Sequence, residues 1–149
     1  MIEVDWKKRW PHFTQEELFS PDQLFLIKTK GVFPYSFRSL DKLHKFREFV
    51  EAPLIINNSG HKRRGARSMG EVYEINRETR GKLRGWEYSF HLWCAFDVSS
   101  TKLSSLELYH KALDFGQWGG IGLYDTFVHL DDRDSLSGSV ALWDLRATK

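Results

Sequence analysis

Hydrophobic and polar positions fall into blocks along this chain, and the blocks predict its elements. From Ser39 to Val50 the apolar residues Leu40, Leu43, Phe46 and then Phe49 or Val50 recur at the spacing of one helix face, which predicts an amphipathic helix with its aromatics in a core. Ahead of it, Phe13 to Phe19 opens as a short helix, with Thr14 as cap and Glu17 completing a capping box. Ser20-Pro21-Asp22 reads as its stop. The stretch from there to Phe37 has no clear period, and Gly31 and Pro34 point to loop. After a break closed by Pro53, Leu54-Ile55-Ile56-Asn57 reads as a buried strand. A long polar segment follows, about Asn58 to Tyr88; loops of that length in compact domains are usually functional or mobile.

Beyond that segment, Ala95 to Ser99 reads as a strand, and Thr101 to Phe115 as a helix with Leu103, Leu106, Tyr109 and Leu113 inward. Gly119-Gly120 marks the turn into a strand or hairpin carrying His129. After a turn at Ser135-Leu136-Ser137-Gly138, Val140 to Leu145 looks like a final strand, expected to pair with the His129 strand. The predicted architecture is α+β, a small mainly antiparallel sheet with helices packed on one side.

Composition narrows the class. A chain of 149 residues suits one domain spanning 1–149, large enough for a real core. Hydrophobic residues at 41%, with 6 Trp and 11 Phe, argue for a packed globule rather than disorder. A net charge of +2 is too mild to imply a nucleic-acid partner. With one cysteine the chain has no internal disulfide, so folding needs no oxidising compartment. No apolar run approaches the ~20 residues of a membrane span, and residues 1–9 lack a signal-peptide core. The expected localisation is therefore cytoplasmic synthesis, with no membrane partner; any route out uses lysis, another protein or a virion.

Two segments carry candidate chemistry. In Gly119-Gly120-Ile121-Gly122-Leu123-Tyr124-Asp125-Thr126-Phe127-Val128-His129-Leu130-Asp131-Asp132-Arg133, strand alternation puts Asp125, Phe127, His129 and Asp131 on one face, with Thr126, Val128 and Leu130 on the other. An imidazole two residues from a carboxylate on one face can bind a metal or orient a water. The second segment, Ser89-Phe90-His91-Leu92-Trp93-Cys94-Ala95-Phe96-Asp97, supplies another His and another carboxylate. Two His and one carboxylate are a ligand set of catalytic zinc, whose fourth position holds a water made acidic by the metal.

Ser89-x-His91, Ala95-x-Asp97 and the distant Gly119-Gly120-Ile121-Gly122-x-Tyr124…Phe127-Val128-His129-x-Asp131-x-Arg133 together resemble the zinc D-alanyl-D-alanine carboxypeptidases. These share a superfamily with phage L-alanyl-D-glutamate endopeptidases and the hedgehog signalling domain. Pro53-Leu54-Ile55-Ile56-Asn57 and Ser59-Gly60 extend the likeness, which covers roughly residues 40 to 133. The resemblance implies a hedgehog/D-Ala-D-Ala peptidase-like fold, Zn2+ as cofactor, His91, Asp97 and His129 as metal ligands, and a peptide of the bacterial peptidoglycan stem or cross-link as substrate. It also suggests a phage-associated protein acting at the bacterial cell wall. The alternative is a non-catalytic domain of the same fold, a virion or tail component among other virion proteins or a cell-wall-binding module.

The chain departs from the family pattern in three places. His91 and Asp97 lie six positions apart where the family has seven, and the family's Gly between them is missing. Six extended residues span about 20 Å, while ligands of one zinc each lie about 2 Å from it, so the chain must turn between them without glycine's freedom. Three outcomes are open: a site with a changed turn, Cys94 as a replacement ligand, or loss of the metal. The family's oxyanion-stabilising Arg follows Ser-Gly-Tyr; here Lys62 falls at that position and His61 at the Tyr, with Arg63 a one-residue shift away. The third departure concerns the general base, which relatives place a few residues before the last ligand, where this chain has Thr126 and Phe127. That leaves Asp131 as first choice for the catalytic base, sharing the face of His129, and Asp125 as second, although Asp125 reads better as a turn residue. Elsewhere, His12, His44 and His110 show no ligand spacing, Cys94 reads as a small buried apolar residue, Asp134 and Asp144 as surface residues, and Arg133 as partner of a nearby carboxylate.

Overall fold

The computed structural model describes residues 5–19, 21–30, 37–57, 63–64, 66–67, 95–133 and 139–147. Within these, α1 is Trp6–Arg9, α2 Gln15–Leu18, α3 Pro21–Lys30, α4 Phe37–Val50 and α5 Ser105–Phe115. The strands are β1 Ile55–Ile56, β2 Arg63–Arg64, β3 Ala66–Arg67, β4 Ala95–Ser99, β5 Gly120–Leu123, β6 Val128–Asp131 and β7 Ala141–Asp144. The chain is thus α+β, as its patterning predicts. Among the described residues no helix is long and apolar enough to cross a membrane.

Local chemistry accounts for most helix boundaries. Thr14 accepts from the Glu17 amide while the Glu17 carboxylate accepts from the Thr14 amide, the expected capping box on α2. Ser104 caps α5 through the Glu107 amide, and Gly116, at φ +70°, ends it in the left-handed conformation that glycine adopts without steric cost. One expectation is corrected at Pro21. α2 does end at Leu18, ahead of Ser20-Pro21-Asp22 as expected, but the chain does not enter loop: Pro21 begins α3, since proline's fixed φ and missing N–H suit the first position of a helix. Residues 31–36, with Gly31 and Pro34, lie outside the described residues.

β1, β4, β6, β5 and β7 form one sheet in that order; β2 and β3 form a separate two-stranded pair within the long polar segment. The pairings β1·β4, β4·β6 and β5·β6 are antiparallel. β7 runs parallel to β5 rather than pairing with the His129 strand, because β4 and β5 already occupy both edges of that strand, β6. β1 is also not buried throughout. It is an edge strand with Ile56 inward and Ile55 44% exposed.

Period-two alternation gives the sheet two faces with different tasks. Ile56, Phe96, Val98, Ile121, Leu123, Val128 and Leu130 join Leu40, Leu43, Phe46 and Val50 of α4 and Leu108 and Ala112 of α5 in one core. Part of the expected inward face holds, since Leu103, just ahead of α5, and Tyr109 pack half-buried against the core; the rest differs. Leu108 and Ala112 are buried, whereas Leu106 and Leu113 are 42% and 37% exposed. Trp10, Phe13, Leu18 and Phe19 extend the core over α4, and Arg9 and the Trp10 indole both donate to Asp41. Trp10 is therefore part of the core. With helices and apolar side chains on one face, Asp97, His129, Asp131 and Trp143 are left to the other.

Candidate metal centre on the second sheet face

Register aligns this site. Asp97 on β4 is paired with His129 on β6, His129 with Gly122 on β5, and Gly122 with Trp143 on β7, so four residues form one row across the sheet. In that row Asp97 Oδ1 lies 3.2 Å from His129 Nδ1. The other ring nitrogen, Nε2, lies 2.7 Å from Asp131 Oδ2. Arg133 then clamps Asp131 with a fork, Nε to Oδ1 at 2.8 Å and Nη2 to Oδ2 at 2.6 Å, while its amide donates to Oδ1 at 3.0 Å. Arg133 pairs with a nearby carboxylate, as expected.

Burial grades across this chain of contacts. The Asp131 side chain is fully enclosed, that of His129 is 10% exposed, and that of Asp97 is 24% exposed. Burial alone would raise the Asp131 pKa, but the hydrogen bonds from His129 and Arg133 outweigh it and hold the group down at about 2. For His129, burial pulls the pKa down; hydrogen bonds to Asp131 and Asp97, with their negative charge, more than offset it, leaving the pKa above the ordinary histidine value. The imidazole is thus fixed in orientation from behind and presents Nδ1 toward the more open carboxylate. Metal-ligating histidines are commonly held in this way, one nitrogen toward the metal and the other on a carboxylate.

Gly122 and Trp143 form one wall. A Cβ built on Gly122 would run into the Trp143 indole, so only glycine lets that ring cross β5 toward His129, whose ring centroid is 5.1 Å away. Trp143 Nε1 donates to the Tyr124 hydroxyl at 3.1 Å, and Arg133 lies 5.2 Å from the indole centroid. Gly120 is constrained in the same way, since a Cβ there would meet Asp131 Oδ2 at 2.5 Å. The Gly-x-Gly of the motif thus clears space for Asp131 and Trp143.

Of the residues expected to carry chemistry, Asp97, His129 and Asp131 come together. Asp131, expected as the base, has both oxygens engaged and no exposed surface, a geometry suited to holding a ring rather than reaching a water. Asp125 sits in the exposed β5–β6 turn, where its carbonyl accepts from Ser105 and its carboxylate from the Ala147 amide; the turn reading holds. Arg63 lies on β2. His91, Lys62 and Cys94, and with them the turn expected before Asp97, lie outside the described residues. Asp144 is clamped by Arg146 as Asp131 is by Arg133.

Sequence reasoning missed Trp143, whose contribution depends on the parallel β5·β7 pairing, and Asp132. Asp132 points away from Asp131 and ties β6 to α4 through Ser39, Arg38 and Lys42, beside a cleft of about 200 Å³. It also missed a histidine group. Among the described residues, His12, His44 and Glu48 could hold a metal ion, their ligand atoms all within 4.8 Å of one another. His44 and Glu48 are four apart on α4, a spacing visible in the sequence, but His12 reaches them only through the tertiary fold.

No family model matches this chain, and no curated protein or solved structure gives a significant match to it.

Proposed function

We propose that this chain is a zinc-dependent, peptidase-like domain of the D-alanyl-D-alanine carboxypeptidase type, acting on stem or cross-link peptides of bacterial peptidoglycan. The observation that carries the reading is His129 held between two carboxylates, with Nε2 on buried Asp131 and Nδ1 facing Asp97. Asp97 and His129 would hold the ion with His91 as third ligand, and their donor atoms, an oxygen and a nitrogen on adjacent paired strands, suit zinc. Bound there, zinc would supply Lewis-acid polarisation of a peptide carbonyl and acidify a water.

The chain's own residues divide the remaining work. Asp131 positions His129, and Arg133 keeps Asp131 ionised and in place; in this proposal Asp131 is a positioning residue, and the base lies elsewhere. Trp143 flanks the imidazole with its indole, the ring centroids 5.1 Å apart. Lys62 or Arg63 would steady the developing oxyanion, as the motif implies.

A non-catalytic use of the same domain, in a virion or as a wall-binding module, is favoured by one observation: Asp131, the acidic group nearest His129 in the motif, is committed to Arg133 and to the ring. The two readings separate in one experiment. Zinc-loaded protein is incubated with peptidoglycan and with synthetic stem pentapeptide, and the products are identified by mass spectrometry. The peptidase reading expects cleavage of one peptide bond, lost in Asp97→Asn and His129→Ala. Folded, zinc-loaded protein that cuts no stem or cross-link bond overturns it in favour of the non-catalytic domain.

A further inference from the structure

A second cluster of metal-ligating side chains lies on a different part of the molecule. His44 and Glu48 project from one face of α4 at a four-residue spacing, with His44 Nε2 2.6 Å from Glu48 Oε1. His12 comes from the segment between α1 and α2, and its ring stacks on that of His44 with centroids 4.9 Å apart and planes 26° from parallel. That segment is anchored on both sides of His12. Trp10 and Phe13 are 1% and 4% exposed in the core, and the Trp10 indole is hydrogen-bonded to Asp41 of α4.

The His44 nitrogen that enters the cluster is Nε2, which lies against Glu48, while Nδ1, whose lone pair points away from Glu48, is buried with no hydrogen-bond partner. Burial lowers the pKa of His12, and the nearby Arg47 and His44 lower it further against the opposing pull of Glu48.

We infer that His12, His44 and Glu48 form a second metal site, taking a borderline divalent transition ion such as zinc, which fastens the α1–α2 segment to α4. Two imidazoles and one carboxylate are the donor set such an ion prefers over calcium or magnesium, which favour all-oxygen sites. Donor atoms on one tetrahedral zinc lie roughly 3.4 Å apart, given bonds of about 2 Å. The present donors, all within 4.8 Å of one another, close to that spacing by rotation of the exposed His12 and Glu48 side chains. The role is structural. The ligands join two segments that are otherwise held by aromatic packing and by the contacts of Arg9 and Trp10 with Asp41.

The test removes the sheet-face site first, so that this inference and the proposed function fail separately. Zinc binding by the full chain carrying His129→Ala is measured by equilibrium dialysis and calorimetry, together with thermal unfolding with and without zinc. The expected result is about one zinc per chain and a higher Tm with zinc. Adding His12→Ala to that variant should remove both effects while the circular dichroism of the fold persists. If His129→Ala does not fold, Asp97→Asn replaces it. No zinc bound by the folded single variant, or zinc bound equally after His12→Ala, overturns the inference.

Discussion

His129 and Asp97 face each other directly across β6 and β4, with Nδ1 and Oδ1 3.2 Å apart, although 32 residues separate them in the chain. Cross-strand register creates that relationship, and the Asp131–Arg133 clamp maintains it from behind. Treating Asp131 as the orienting partner gives a first prediction. Asp131→Asn should weaken zinc binding at His129 by 10- to 100-fold, the usual cost of losing such a partner, in a chain that still folds. Competition titration in the His12→Ala background checks this. Unchanged affinity would remove Asp131 from the site.

The same contacts set a pH dependence in chelator-treated protein. The folded Asp131 pKa is depressed to about 2, so its contribution is present above the unfolded value near 4 and is lost as pH falls toward 2. At about 1.4 kcal/mol per pKa unit, the contribution is on the order of 2 kcal/mol. His129 has the opposite sign. Its folded pKa is raised, so its contribution is full below the unfolded value near 6.5 and is lost as pH rises through the folded pKa. The stability difference between wild type and Asp131→Asn, from urea unfolding, should therefore be largest between about pH 4 and 6.5 and shrink on both sides. A difference that does not vary with pH would contradict this.

Gly122 gives a packing prediction. Valine there would drive its Cβ into the Trp143 indole, and overpacking of this kind typically costs about 1–3 kcal/mol. Gly122→Val should lower Tm and alter Trp fluorescence, and Trp143→Ala in the same chain should recover part of the loss. Wild-type stability in Gly122→Val would show that Trp143 does not occupy this place.

On α5 the inward face can be read by two truncations. Leu108→Ala, at a fully buried position, should cost about 2–5 kcal/mol, whereas Leu106→Ala, at an exposed one, should stay within about 0.5. Chemical denaturation of both variants checks the ordering, and the reverse ordering would restore the face predicted from Leu106 and Leu113.

Much of this frame is legible in the sequence because local rules dictate it. The α2 capping box, α4, β4 and the strand alternation that puts His129 and Asp131 on one face all follow from short-range chemistry. Non-local features are not legible in this way. On α5 two apolar stripes compete, and the sheet, not the period, selects the one through Leu108 and Ala112. The parallel place of β7 depends on both edges of β6 being taken, which no local pattern reports. Ser20-Pro21-Asp22 does follow the end of α2, but proline punctuates helices at both ends, and here Pro21 also opens α3, which the local sequence does not report. The meeting of Asp97 with His129 was suggested by motif likeness, whereas His12 beside His44 required the packing of Trp10 and Phe13 to become visible.

The most direct test of the metal centre is the zinc stoichiometry of the His12→Ala chain, in which the sheet face is left as the site under test, compared with the same chain also carrying His129→Ala. About one zinc per chain in the first and none in the second is the predicted result. A folded His12→Ala chain that binds no zinc, or that keeps it after His129 is removed, would contradict the assignment of Asp97 and His129 as metal ligands.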